Sequence, residues 1–131
     1  MRFVDTSFFV ALQFAKDERH PLASAVWRAG PGPMVTTNLV LGETWTFLRR
    51  RLGHQEALRF LNAAEASTHL SVRHVDEKVE AESWAFLRRH DERSYSFVDA
   101  ASFITMRGMR IREALAFDGD FQAAGFVEVR P

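Results

Sequence analysis

Asp5 and Asp118 each follow directly on a short apolar run, Phe3-Val4 in one case and Ala114-Leu115-Ala116-Phe117 in the other. If both runs are parallel strands of one sheet, their C-terminal ends share an edge. That edge is where open α/β sheets place their ligand sites. Glu43 stands in the row Leu39–Glu43–Phe47, with an apolar residue one turn to each side. A carboxylate in such a setting is costly unless it is paired or bound to metal. Asp99 falls in the first turn of a helix that starts after Ser96, among Phe97, Val98, Ala100 and Ala101.

Each acid also has a plainer role available. Asp5 can cap the helix that follows it, and Ser96-x-x-Asp99 has the spacing of a capping box. Glu43 can pair with an arginine, and Asp118-Gly119-Asp120 can be a turn. Four such coincidences at separate element boundaries are less economical than one shared purpose. Two unit charges 4 Å apart repel by about 4 kcal/mol at an effective dielectric of 20. A converged set therefore needs raised pKa values or a hard divalent cation. With no cysteine and no paired histidines, all-oxygen ligation favours Mg²⁺ or Mn²⁺ over zinc. Such a cation beside a phosphate suits hydrolysis by an activated water.

The elements that must position these groups are short strands alternating with helices. Strands are expected at Met1–Val4, Met34-Val35, His69–Arg73, Ala114–Phe117 and Phe126–Val129. Thr6 and Ser7 can cap a first helix through Phe8–Leu12, and a second runs His20–Ala29 up to the break Gly30-Pro31-Gly32-Pro33. Thr36 or Thr37 caps a long helix that Gly53 stops, with Leu41, Trp45, Leu48 and Leu52 as its core stripe. Further helices are expected over His54–Ala66, with Ala57, Leu58, Leu61 and Ala64 or Glu65 on successive turns, from Asp76 to about His90, and from Ser96 through Met106. Strands separated by helices predict βαβ units, hence an α/β fold with a parallel central sheet flanked by helices. One domain spanning 1–131 is expected, since no repeat or linker interrupts the pattern.

Composition sets the outer limits. The chain has 131 residues, is 47% hydrophobic and 26% charged, and carries twelve Phe and three Trp, expected mainly in the core. The absence of cysteine excludes a disulfide framework, a thiolate zinc site and a cysteine nucleophile. The N-terminus has no signal-peptide pattern, and no apolar run reaches the ~20 residues that span a bilayer, so a soluble, cytoplasmic protein without membrane partners is expected. Net charge is zero, yet fifteen of the seventeen cations are arginine. They gather at Arg49–Arg51, at Arg88-Arg89 with Arg93, and at Arg107, Arg110 and Arg112. Arginine suits bidentate phosphate contacts, although any single cluster is equally served as a solvated helix face.

The ordered set Phe3-Val4-Asp5-Thr6-Ser7, Glu43 on a helix, Ser96-Phe97-Val98-Asp99-Ala100 and Ala116-Phe117-Asp118-Gly119-Asp120-Phe121 resembles the motifs of PIN domains. Order, spacing and length resemble in particular the VapC-type toxins of toxin–antitoxin systems. The resemblance implies an endoribonuclease using Mg²⁺ or Mn²⁺, with Asp5, Glu43, Asp99 and Asp118 at the acidic positions. It implies Thr6 and Ser96 as polar residues supporting the site and Asp120 as a further acid. It also implies a homodimer, an RNA substrate and a VapB-type antitoxin partner.

Two other readings are weighed beside the toxin. One keeps the fold and makes the protein a housekeeping nuclease in RNA maturation or decay. The other is a metal-dependent phosphatase or phospho-acceptor domain around a strand-end aspartate. Asp5-Thr6-Ser7 lacks the Asp-x-Asp of haloacid-dehalogenase-like phosphatases, and no lysine follows Lys78 to serve as in receiver domains. No P-loop, Gly-x-Ser-x-Gly elbow, His-Glu-x-x-His or EF-hand spacing is present.

Overall fold

A computed structural model describes all residues, 1–131. The chain runs β1 (Arg2–Val4), α1 (Thr6–Gln13), α2 (His20–Arg28), β2 (Met34–Thr37), α3 (Asn38–Leu52), α4 (His54–Ala66), β3 (Leu70–Arg73), α5 (Glu77–Arg89), α6 (Phe97–Gly108), β4 (Glu113–Leu115), α7 (Asp120–Ala123) and β5 (Val127–Glu128). The five strands form one parallel sheet in the order β3-β2-β1-β4-β5. No helix is long and apolar enough to cross a membrane.

The topology decides where a site can form. From β1 the chain steps outward to β2 and β3, then returns across the sheet to place β4 on the other side of β1. Helices α1 to α4 pack on one another, as do α5, α6 and α7. Right-handed crossovers put these two groups on opposite faces of the sheet. The strand order thus reverses between β1 and β4, whose register pairs Arg2 with Glu113 and Val4 with Leu115. A crevice opens at such a switch point, at the C-terminal ends of the strands.

Local chemistry explains most boundaries. α1 is buried along Phe8, Phe9, Val10 and Ala11, and its N-cap is Asp5 rather than Thr6 or Ser7, which lie inside the helix. Thr37 caps α3 through Val40 N–H. Gly53, at φ 94°, both ends α3 and starts α4, a left-handed backbone that a side chain resists. In the predicted stripe of α3 only Leu48 is fully buried. Leu41, Trp45 and Leu52 pack against the core from its margin, while Val40 and Thr44 fill its centre. In α4, Phe60 joins Ala57 and Ala64 in the interior, in place of Leu58 and Leu61. Trp27 and Trp84 are exposed, against the expectation that the tryptophans fill the core.

The core is one cluster reaching from Phe3 and Val4 through Phe8, Leu48, Phe86, Phe103 and Phe121. α6 is its most deeply set helix, buried at every position from Asp99 to Met106 except Ile104. Small residues at Ala100, Ala101 and Ser102 permit that close approach.

Candidate active site

Asp5 leaves β1 at its C-terminal end and is only 3% exposed. Its backbone N–H still belongs to the sheet, bonding Leu115 O at 3.0 Å, while its side chain caps α1. Asp5 Oδ2 accepts from Ser7 N–H at 3.1 Å and from the Ser7 hydroxyl at 2.7 Å. The same Ser7 Oγ accepts from Phe117 N–H at 3.0 Å. One hydroxyl thus joins the exit of β1 to the segment leading out of β4. Thr6, in contrast, has a buried hydroxyl with no hydrogen-bond partner.

Asp99 stands at the start of α6 and closes the capping box anticipated for Ser96. Ser96 N–H donates to Asp99 Oδ2, and Asp99 N–H donates to Ser96 Oγ, both at 2.9 Å. Asp118 follows the buried Ala116-Phe117, and its Oδ1 accepts from Asp120 N–H at 3.1 Å. Gly119, at φ 81°, makes the turn that brings Asp120 back beside Asp118. Carboxylate oxygens of Asp99, Asp118 and Asp120 lie within 4.8 Å of one another.

Asp5 stands close enough to feel this group. Burial first, and then the charge of Asp118, pushes the Asp5 carboxyl up to about 7, with Asp99 adding to the rise. Burial likewise raises Asp99 to about 6, against the pull of the Ser96 N–H and with the help of Asp120 and Asp118. Asp118 moves up through partial burial and the charges of Asp120 and Glu128. Asp5, Asp99 and Asp118 are each held by protein hydrogen bonds through a single oxygen, leaving the other unengaged. Crowded, desolvated carboxylates with free oxygens match the donor set of a hard divalent cation.

Glu43 is placed differently from the other acids. It is exposed, not enclosed by Leu39 and Phe47, and it faces an open groove of ≈640 Å³ with Asn38, Phe47, Arg50, Arg51 and Val98. The apolar neighbours make a carboxylate there look costly from sequence, but Leu39 and Phe47 are only half-buried and line that groove, so Glu43 stays solvated. Glu43 shares this groove with Val98 of α6 and is not one of the carboxylates whose oxygens gather within 4.8 Å of one another.

Several groups around the site were not foreseen. Arg93 pairs with Asp120 Oδ1 at 2.9–3.0 Å. The Glu128 carboxylate, 2% exposed, is held by Arg130 at 3.1 Å and by Gln122 N–H at 3.3 Å. Arg130 also donates to Ala116 O at 2.9 Å and lies over the Phe117 ring, 4.9 Å from its centroid. Ser7 had a local signal, because an aspartate side chain commonly bonds the backbone two residues on. Arg93 had none, since Asp120 lies 27 positions away, and the contact of Arg130 with Ala116 O spans 14.

Comparison with known proteins identifies the family. The family model described as the PIN domain matches residues 2–127. The chain is 55% identical over 131 residues to the 23S rRNA-specific endonuclease VapC20 of Mycobacterium tuberculosis, in both strain CDC 1551 / Oshkosh and strain ATCC 25618 / H37Rv, covering 100% of this chain and 99% of the relative. The crystal structure of Mycobacterium tuberculosis VapC20, described as a sarcin–ricin loop cleaving toxin, matches with a TM-score of 0.95 at 53% identity, covering 100% of each chain.

Proposed function

The chain belongs to the PIN-domain family, and from that premise we propose that it is a Mg²⁺- or Mn²⁺-dependent endoribonuclease cleaving ribosomal RNA as a toxin. The observation that carries the reading is the gathering of Asp99, Asp118 and Asp120 carboxylate oxygens within 4.8 Å of one another at the strand ends, with Asp5 near enough to feel the charge of Asp118 and Asp99. Asp5, Asp99 and Asp118 are the proposed metal ligands, with Asp120 as a further acid and Glu43 as the acid of the neighbouring groove. Bound there, a divalent cation supplies Lewis acidity to the scissile phosphate and makes water a stronger nucleophile.

The protein's own residues do the rest. Ser7 fixes the Asp5 carboxylate, Ser96 fixes Asp99, and the Asp120 backbone fixes Asp118, so the charges are aimed before substrate arrives. Arg93 leaves Asp120 partly neutralised and limits repulsion within the group. Arg50 and Arg51 line the groove beside Glu43, where they suit phosphates of a bound strand, and Arg51 is steadied over the Phe47 ring at 5.3 Å.

The substrate class comes from the full-length likeness to VapC20, a 23S rRNA-specific endonuclease. By the same likeness the protein is proposed to act in the cytoplasm, to form a homodimer and to be held inactive by a VapB-type antitoxin.

The test is incubation of purified protein with ribosomal RNA, followed by mapping of the cut ends. Cleavage at one site of the large-subunit RNA, stopped by EDTA and restored by Mn²⁺ or Mg²⁺, is expected. Metal-independent cleavage refutes the mechanism. Inducible expression separates toxin from housekeeping nuclease: arrested growth, relieved by the neighbouring gene product, supports the toxin, and unimpaired growth opposes it.

A further inference from the structure

A second concentration of positive charge lies at the opposite edge of the sheet. Arg107, Arg110 and Arg112 line an open pocket of ≈540 Å³ together with Ile111, Gly125 and Phe126. Arg112 directly precedes β4, so the pocket sits at the N-terminal ends of the strands, whereas the carboxylates sit at the C-terminal ends. No acidic residue lines it, and none of the three arginines forms an ion pair.

Two features set this pocket apart from a solvated arginine face. Arg107 is fixed in place: its guanidinium lies 5.6 Å from the Phe86 centroid and 5.8 Å from that of Phe126, and it donates to Ala124 O at 3.4 Å. Arg110 is the one non-glycine residue with positive φ, at 58°. It occupies the turn that ends α6, closed by Ile111 N–H to Met106 O at 2.9 Å and Arg110 N–H to Arg107 O at 3.2 Å. Glycine ordinarily fills that position, because a Cβ is strained there. A strained residue is retained where its side chain has work to do, and here that side chain is a guanidinium turned to a pocket with two others.

We propose that this pocket is a second RNA-contact site, gripping backbone phosphates of the substrate at a distance from the scissile bond. The proposal rests on the ribonuclease reading above. Planar guanidinium forks without competing carboxylates select phosphate oxygens, and they do so without reading sequence. The chain climbs from Arg112 to Asp118, at most about 20 Å at about 3.3 Å per residue. At about 3.4 Å per stacked nucleotide, a strand reaches from one edge to the other in about six nucleotides. A stacked strand shorter than that does not reach the pocket.

The experiment measures RNA affinity by fluorescence anisotropy in EDTA, so that nothing is cut, across a series of salt concentrations. One probe is a ribosomal RNA hairpin extending well past about six nucleotides from the cut site; the other ends within about three. In the double variant Arg110→Gly with Arg112→Ala, Kd for the hairpin should rise about tenfold and the slope of log Kd against log salt should fall by about 1.5. Kd for the short RNA should not change. Arg110→Gly alone relieves the backbone strain, so its unfolding midpoint should equal or exceed the parent's while hairpin affinity still drops. An unchanged hairpin Kd overturns the proposal, as does equal weakening of both RNAs. Loss of an acidic protein partner with RNA affinity intact overturns it in favour of a protein interface. If the unaltered protein neither binds nor cuts the hairpin, the ribonuclease premise itself fails.

Discussion

The Ser7 hydroxyl lies between Asp5 and the backbone of Phe117, donating to one at 2.7 Å and accepting from the other at 3.0 Å. It ties together two strand ends that the chain brings to one place from opposite termini. Through it the Asp5 carboxylate is fixed relative to the segment that carries Asp118.

Ser7→Ala should leave the Phe117 N–H unpartnered, at about 1–3 kcal/mol of stability. Since the Ser7 hydroxyl hydrogen bond helps hold the Asp5 carboxyl down, its loss should move that titration higher still, while the bond from the residue-7 backbone N–H remains. The expected result is cleavage reduced about tenfold at neutral pH, partly recovered at higher pH and by Ser7→Thr. A pH–rate profile of the three proteins checks this; a uniform loss at every pH contradicts it.

Asp99→Asn should abolish cleavage and keep the fold, because the amide oxygen can still accept from Ser96 N–H. Asp99→Ala removes the capping box as well and should lower stability by about 1 kcal/mol. Circular dichroism melts beside an activity assay separate the two roles. Melting of both variants below assay temperature would make the residue structural only.

Metal-free protein should lose stability as pH rises from about 4 to about 7. The folded-state pKa values of Asp5, about 7, and Asp99, about 6, stand above the ordinary 3.8. Between those values the folded state holds protons that the unfolded chain has released, so raising pH favours unfolding. The unfolding midpoint should fall by several degrees across that window, and saturating Mn²⁺ should remove most of the fall by binding the ionised form. Thermal scans with and without metal at pH 5 and 7.5 check the sign. A midpoint that rises with pH in EDTA excludes this account.

Arg93→Ala should tighten metal binding. The guanidinium supplies the positive charge nearest Asp120, and its removal leaves the acidic group more negative. Half-maximal activity should then need severalfold less Mn²⁺, measured by titrating metal into the assay. A higher requirement means that Arg93 positions Asp120 for binding rather than competing with the ion.

Much of this arrangement is legible in the chain because it is local. Asp5 and Asp118 announce themselves as polar residues ending apolar runs, and Ser96 with Asp99 as a spaced cap. The parallel sheet follows from the alternation of short strands and helices. Sheet order is not local, so the reversal between β1 and β4 that creates the crevice appears only in three dimensions. The helix α7 is a single turn, too short to show a period. Ser7 was read as a cap beside Thr6, and its bridge to Phe117 depends on a residue 110 positions away. The apolar neighbours of Glu43 make its charge look costly in sequence, yet its row lies along a groove, and half-buried apolar residues look the same in sequence as buried ones.

The strand order also governs when the acidic site can form during synthesis. β1 and β2 are made close together and can pair early, but the other neighbour of β1, β4, is made long after both. At about 5–20 residues per second, roughly 6–23 s separate the synthesis of Asp5 from that of Asp118. Contacts so distant in the chain also form slowly once available. The strand-end site that needs both Asp5 and Asp118 therefore cannot assemble until β4 has been made and paired with β1.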